Sequence, residues 1–556
     1  MEANTGEDVP RRRVIIIGLD GATLTLAGPW MDEGILPNLA YIREHGVCGP
    51  LASTILPISG PAWTSFMTGK NPGKHSIYDF LKRRAGSYER RVINAADIDG
   101  RTLWEITGDK GRRVCVVNVP VTFPPRPVNG VLVAGMLTPS TRSEFTYPRE
   151  LAEELEQRFG PYRLSVTGGT ISPGKEDEFI ADVEAVLNQR EQTMLYLLSC
   201  EPYDLFVFVF FETDVMQHKF WGYQEHEDSP HRWAIRWCYQ RVDRAIGRLL
   251  ERLDDNTSLF VMSDHGGGAL DGIVLLNRWL MDQGLLRLKE GAGMRFKRWL
   301  SRNNPILKGY DLLLKMGWGK MSGIVPRSLR LRVINAFVSL EDVDWAQTRA
   351  YSCGHFGQIF INLKGREPEG IVEPGAEYEA LREEIIVGLY EIEDPESRER
   401  IVDRVYRREE IYHGPHLQEM PDLLLLMGGM RYVSSSDQLG WDSPSLFAPS
   451  IYGDTGTHRL HGLFMAMGKG IRQGEVLEEA SIMDVAPTAL YAMGLPVPQD
   501  MDGRVLTGIF EPAFLTTHPI EYDEEEEKEP TKGRQGFSAQ DERLVEERLR
   551  SLGYLG

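Results

Sequence analysis

Residues 205–211, Leu-Phe-Val-Phe-Val-Phe-Phe, run without a single polar side chain. A strand with one face in water alternates apolar and polar residues, so an unbroken run of this length is buried on both faces. Residues 14–19 and 258–262 have the same character, and 113–119 and 131–134 read as further strands. Between them, residues 37–45 (stopped by Gly46), 176–198 and 233–253 carry apolar side chains at helical spacing. Doubly buried strands alternating with amphipathic helices predict an α/β fold, a mostly parallel central sheet with helices on both faces. No internal repeat interrupts the pattern.

Composition narrows the class. The chain has 556 residues, 42% hydrophobic and 26% charged, which excludes wholesale disorder and collagen-like sequence. Its net charge of −19 argues against nucleic acid as a general partner. No stretch reaches the ~18–20 apolar residues of a membrane span. Residues 1–13 are polar, and the apolar run after them is too short for a secretory signal. The five cysteines (Cys48, Cys115, Cys200, Cys238 and Cys353) are odd in number and form no C-x-x-C pair. A cytoplasmic, reducing location is expected.

The chain divides by charge and pattern. Residues 1–285 are the first part of the core. Residues 287–332 hold twelve Lys/Arg against Glu290 and Asp311, and 286–345 is read as a basic cap or lid inserted after the 258–262 strand. Residues 346–445 form a second α/β portion, partly cap and partly core, with strands at 358–363 and 422–427. Residues 446–515 return to the core. Residues 516–556 combine an acidic, solvated linker (Glu521, 523–527, Glu529) with a last helix. In that helix Ser538 is the N-cap, Leu544, Val545, Leu549 and Leu552 the apolar stripe, and Gly553 the stop.

Acids and histidines gather where the strands end. Asp20 closes the first run in Gly-Leu-Asp-Gly. Asp214 follows the 205–211 run, with His218 one helical turn on. Asp264 and His265 end the 258–262 run in Ser-Asp-His-Gly, and His458 comes later in Gly-Thr-His-Arg. Ligands of open α/β sheets collect outside the carboxyl ends of the strands. Three Asp and three His are the donors of two adjacent divalent-metal sites with mixed N/O ligands. Two such metals ~3.5–4 Å apart clamp the attacking and leaving oxygens of a phosphoryl transfer. Singly, each residue has a plainer reading: a strand-end Asp caps the next helix, and Asp-x-x-x-His is a surface pair. Coincidence at strand ends is what the plainer readings leave unexplained.

Residues 56–75 supply hydroxyls: Ser59, Thr64, Ser65 and Thr68. Ser59 approaches a helix beginning near Pro61, where free N–H groups favour an anion, and a metal would ionise its Oγ. A simple N-cap is the other reading. Thr64, Ser65 and Thr68 fall inside the helix, where hydroxyls pack or bond back to the turn before.

Together these residues resemble the alkaline phosphatase superfamily, and within it the type I phosphodiesterase/nucleotide pyrophosphatase branch. The resemblance rests on Gly18-Leu-Asp20-Gly, a nucleophile segment closing in Thr68-Gly69 and Pro72-Gly-Lys-His75, Asp214-x-x-x-His218, Asp264-His265-Gly266, Gly456-x-His458 and Asp484-Val-Ala-Pro-Thr488. It implies an alkaline phosphatase-like fold and a phosphodiesterase whose nucleophile lies nine residues before the Thr of Thr-Gly, which is Ser59. It implies that Asp20, Asp264 and His265 hold one metal together with Ser59, and that Asp214, His218 and His458 hold the other, with His461 as the alternative ligand. Zinc suits this mixture, and manganese is the second candidate.

The sequence also departs from the family. The expected enzyme is a phosphodiesterase or nucleotide pyrophosphatase-like hydrolase, but nucleotide pyrophosphatases carry a phosphate-binding Asn where this chain has Phe80, which weakens the claim to nucleotide substrates and leaves one non-bridging phosphate oxygen without its usual donor. The sulfatase nucleophile motif is missing, since no cysteine lies near Ser59. The Arg that alkaline phosphatases direct at a monoester has no evident counterpart. Lys70, Lys74 and Lys82 are nearby cations, and with His355 they are the candidate substrate contacts; His413 and His416 lie in the same portion as His355. A phosphate ester is thus the expected partner. A phosphomonoesterase or phosphomutase-like transferase is the alternative, and a non-catalytic binding protein the second; the complete ligand set argues against the second. The basic segment 287–332 has three readings: a packed cap, a lid over a phosphate-rich substrate, or an amphipathic element making peripheral contact with an anionic membrane.

Overall fold

Every side chain of Leu205–Phe210 is buried, as the unbroken apolar run requires. The computed structural model describes residues 11–166, 171, 174–303, 338–395, 397–434, 445–448, 450, 453–524, 536–552 and 554. Its centre is a ten-stranded sheet. The strands are β1 (Arg13–Leu19), β2 (Gly46–Ala52), β3 (Val114–Val117), β4 (Gly130–Val133), β5 (Thr146–Tyr147), β6 (Leu205–Phe210), β7 (Thr257–Met262), β8 (His461–Gly468), β9 (Glu475–Val476) and β10 (Ala480–Ser481). They lie in the order β9-β2-β8-β7-β1-β6-β3-β4-β5, with β10 also paired to β2.

Strands β7, β1, β6, β3 and β4 run parallel. The late strand β8 enters antiparallel between β7 and β2. The expected helices form over Pro37–Glu44, Glu176–Cys200 and Ala234–Leu250. Three more bear on the site: α1 (Ser59–Thr68), α2 (Glu212–Glu225) and α3 (Ala539–Leu552).

A second apolar core, including Leu280, Val338, Ile359, Leu381 and Leu423, stands apart from the main one. It is covered by a four-stranded antiparallel sheet in the order Ala350–Ser352, Gln358–Ile361, Leu423–Met427, Val402–Arg407. This core draws on residues on both sides of 286 and 346. Residues 304–337, most of the expected basic insertion, lie outside the described residues, as do 525–535 of the acidic run and the helix stop Gly553.

In α3, Ser538 caps as expected, its Oγ accepting from Asp541 N–H at 3.1 Å. The apolar stripe is narrower than expected. Val545, Leu549 and Leu552 are buried, whereas Leu544 is 40% exposed, because it lies one position, about 100° of helical rotation, away from Val545. All five cysteines are free thiols, four of them buried. Among the described residues no helix is long and apolar enough to cross a membrane.

Candidate active site

Parallel pairing sets Leu19 opposite Phe210 and Gly18 opposite Met262. The carboxyl ends of β1, β6 and β7 therefore finish side by side, and the residues that follow them meet. Asp20 follows β1 directly. Asp264 and His265 follow β7 after Ser263. Asp214 stands in the first turn of α2, just after β6, with His218 one turn on. Gly21 has φ +67, and a Cβ there would lie 2.6 Å from Asp214 Oδ1. Both the turn and the close carboxylate require glycine. His458 arrives on the strand Gly456–Arg459, which pairs with Gly266–Ala269 and sets His458 opposite Gly267.

Two groups of donors result, Asp214 with His218 and His458, and Asp20 with Asp214 and His265. Asp214 belongs to both. Asp264 joins the second through its Oδ2, 3.4 Å from His265 Nε2. His265 Nε2 lies 3.6 Å from Asp20 Oδ1, and His218 Nε2 lies 3.4 Å from Asp214 Oδ2. Ser59 is the first residue of α1, and its Oγ is 3.2 Å from His265 Nε2. Two of the other hydroxyls of the helix bond back onto it. Thr64 donates to the Gly60 carbonyl and Thr68 to the Thr64 carbonyl, each at 2.7 Å, while Ser65 pairs with His75 at 2.9 Å.

Three carboxylates are crowded together in the cluster. Burial, then the neighbouring Asp264 and Asp214, pushes the Asp20 carboxyl well above its ordinary range. Burial also raises Asp214 and Asp264. It lowers His218 to about 4 and holds His458 well below its ordinary value, so both rings are neutral near pH 7. Among the described residues, the ion-pair partners of the three carboxylates are histidines. Asp20 Oδ1 and Asp264 Oδ2 are buried and accept no hydrogen bond.

The imidazoles are oriented as ligands. His458 Nδ1 lies 2.7 Å from the Pro57 carbonyl and His265 Nδ1 lies 3.0 Å from that of Gly266. A carbonyl only accepts, so each Nδ1 carries the proton and each Nε2 lone pair is turned to the cluster. Orphaned carboxylate oxygens and free imidazole lone pairs are what divalent cations with mixed N/O ligands require. The residues fit such ions.

Three contacts were not legible from motif spacing. Trp63 donates its Nε1–H to Asp20 Oδ2 at 2.8 Å. Phe356 stacks on His458, centroids 4.9 Å apart. Tyr554, on the segment after α3, donates its hydroxyl to Asp214 Oδ2. Each joins residues too distant in sequence for periodicity to pair.

The expected substrate contacts are placed differently from one another. Lys70 pairs with Asp500. Lys74 reaches Asp502 Oδ1 at 2.6 Å, and Lys82 reaches Glu419 at 2.8 Å. These cations are engaged by carboxylates rather than gathered at the ligand cluster. His355 is next to the cluster: its ring is edge-on to Phe356, and its buried Nδ1 has no hydrogen-bond partner. His413 pairs with Asp502, and His416 with Asp99 and Glu419. His461 is exposed at the start of β8. Phe80 is fully buried, and its ring packs edge-on against Tyr554.

The model of the family "Type I phosphodiesterase / nucleotide pyrophosphatase" matches residues 14–462. Phosphonoacetate hydrolase from Sinorhizobium meliloti 1021, solved with phosphonoformate, is similar in fold, with a TM-score of 0.54 and 17% identity over 87% of this chain and 96% of that one. Murine ectonucleotide pyrophosphatase/phosphodiesterase 5, an inactive form with AMP, gives a TM-score of 0.47 and 14% identity over 87% of this chain and 95% of that one. No curated protein matches the chain.

Proposed function

Because this chain belongs to the type I phosphodiesterase/nucleotide pyrophosphatase family, a branch of the alkaline phosphatase superfamily, we propose that it is a metal-dependent phosphodiesterase with Ser59 as nucleophile. One observation carries the reading: a single serine Oγ stands within 3.2 Å of a ligand nitrogen in a buried cluster of three Asp and three His. Asp20, Asp264 and His265 would hold one divalent cation, zinc or manganese, and Asp214, His218 and His458 a second, and when bound these would supply positive charge to the attacking and leaving oxygens.

The chain's own groups do the rest. Ser59 Oγ gives up its proton to solvent and attacks phosphorus in line, and the bond from phosphorus to the leaving oxygen breaks. The product alcohol leaves with a proton from solvent, and a phosphoseryl ester remains on Ser59. Water then cleaves that ester, releasing a phosphomonoester and restoring the hydroxyl. Seating Ser59 at the start of α1 sets the phosphoryl oxygens against a helix N-terminus, which favours their negative charge. Phe80 offers no hydrogen bond to the phosphoryl group, so one non-bridging oxygen lacks the donor that nucleotide pyrophosphatases supply, which weakens the case for nucleotides against other phosphodiesters. Of the candidate substrate contacts it keeps His355, whose unpartnered Nδ1 lies beside Phe356 and the ligand His458.

The test compares bis-p-nitrophenyl phosphate with p-nitrophenyl phosphate, for the parent and for Ser59→Ala. The parent is expected to prefer the diester. Ser59→Ala is expected to lose turnover by several orders of magnitude while keeping its metal. Preference for the monoester would favour the phosphomonoesterase alternative, and near-normal turnover by Ser59→Ala would remove the nucleophile assignment.

A further inference from the structure

Tyr554 lies 340 residues from Asp214 in sequence, yet its hydroxyl donates to Asp214 Oδ2. The carboxylate it touches is the one shared by both donor groups. Its ring is 2% exposed and closely held. Phe80 lies edge-on at 5.3 Å, Phe211 at 5.9 Å, and the ligand rings of His218 and His458 at 5.5 and 5.7 Å.

The segment that delivers this ring is anchored along its length. Val545, Leu549 and Leu552 are buried in the main core. Arg548 donates to the carbonyls of Thr138 and Pro139. Glu542 accepts from Arg84 at 2.8 Å and from Val92 N–H at 3.2 Å. Lys219, next to the ligand His218, bonds Asp454 at 2.5 Å and the Ser551 carbonyl at 3.4 Å. One lysine thus ties α2, which carries Asp214 and His218, to the end of α3.

We infer that Tyr554 is a positioning residue of the metal site, its phenol fixing the Asp214 carboxylate so that the segment after α3 completes a centre built on the carboxyl ends of β1, β6 and β7. Oδ2 accepts from the phenol, and Oδ1, 3.8 Å from His458 Nε2, remains for a cation. Groups that hold a ligating carboxylate in this way set metal affinity without touching the metal. Phe80 takes part by offering an apolar wall to the tyrosine ring, which the polar amide of an asparagine would not. The departure at residue 80 and the presence of the tyrosine are two halves of one contact.

The inference rests on the two-metal reading above, and zinc binding by the full-length protein separates the two. Apo-protein is titrated with zinc against a chromophoric chelator, for the parent and for Tyr554→Phe, which keeps the ring and removes only the hydroxyl. Tyr554→Phe is expected to hold the zinc shared with His218 and His458 about 10–100-fold more weakly, and to recover turnover at saturating zinc. A parent that binds two zinc ions and a variant that binds them equally well would overturn the inference alone. So would a variant that binds zinc as the parent does and turns over faster, since the tyrosine would then be an obstruction. A parent that binds no zinc would overturn the metal reading and this inference with it.

Discussion

His458 Nε2 stands 2.9 Å from His218 Nε2. The His458 proton is on Nδ1, held by the Pro57 carbonyl, so its Nε2 presents a lone pair to His218. Burial keeps both rings neutral. Two imidazole nitrogens thus converge beside the Asp214 carboxylate, a donor set that a divalent cation with mixed N/O ligands would take.

The first prediction follows. His458→Ala should remove one of two metal equivalents and leave the other: the His265 ring stacks on His458 with centroids 3.7 Å apart, but its Nδ1 is held by the Gly266 carbonyl, Asp20 by Trp63 and Asp264 by the Gly21 N–H. Elemental analysis after purification without chelator checks it. Two equivalents in the variant would show that His458 is not a ligand.

Trp63 gives the second. Its Nε1–H is the hydrogen-bond donor to Asp20 Oδ2, and Asp20 Oδ1 is left free. Trp63→Phe keeps most of the ring but strands a buried carboxylate oxygen, at a cost of about 1–3 kcal/mol. Apparent metal affinity should fall about tenfold or more, and the metal-free variant should melt below the metal-free parent. Unchanged affinity would mean that Asp20 is oriented by its backbone alone.

Four residues of the buried Asp/His cluster were legible in the sequence for a physical reason. A doubly buried parallel strand announces itself as an apolar run, and its carboxyl end is the one place a nearby polar side chain has to go. Asp20, Asp214, Asp264 and His265 are all placed by that rule, and Thr64 and Thr68 by the rule that helical hydroxyls bond back one turn. Trp63, Phe356 and Tyr554 follow no such rule, because packing across the fold decides their contacts. The same holds for Lys70, Lys74 and Lys82. Their position near Ser59 suggested substrate, but Asp500, Asp502 and Glu419 reach them from hundreds of residues away. The tail shows the limit most sharply: its stripe predicted a helix, and nothing in it pointed to Asp214.

The third prediction concerns pH. His416 bridges Glu419 at 3.0 Å and Asp99 at 2.7 Å. Glu419 first, and Asp99 after it, raise the ring's pKa against the opposing effect of burial. His416, and then Lys82, lower Glu419 to about 2 against burial. A ring whose folded pKa is raised stabilises the fold fully below its unfolded value, near 6.5, and loses that contribution as pH rises through the folded value. Glu419 works in the opposite sense and loses its contribution only as pH falls below about 4.5 toward 2. Between about pH 6 and pH 9 the melting temperature of the parent should therefore decline more than that of His416→Asn. Parallel melting curves across that interval would dispose of the claim.

The basic segment supplies the last prediction. Its two ends are closed on each other. Lys289 N–H donates to the Asp342 carbonyl at 2.8 Å and Asp344 N–H to that of Arg287 at 2.9 Å, while Leu288 bridges Val343. Lys297, one of the twelve cations, reaches both oxygens of Asp342 at 2.8 and 3.0 Å. The segment thus leaves and rejoins the second portion through a stem, and a stem of hydrogen-bonded neighbours can be closed by a short turn. Replacing residues 290–341 with a Gly/Asn turn removes all of the twelve cations except Arg287 and Lys289. It also exposes the surface that Met294 and Val338 cover, at a cost of a few kcal/mol, about that of emptying two core positions. The shortened protein is expected to fold and to turn over bis-p-nitrophenyl phosphate within about threefold of the parent, because so small a diester needs only Ser59 and the ligand cluster. Loss of that activity in a folded protein would place the segment inside the catalytic site. Vesicles rich in anionic lipid decide what the cations face. Binding by the parent that weakens with salt and vanishes in the shortened chain assigns them to a membrane surface, and no binding by either leaves them to substrate or to water.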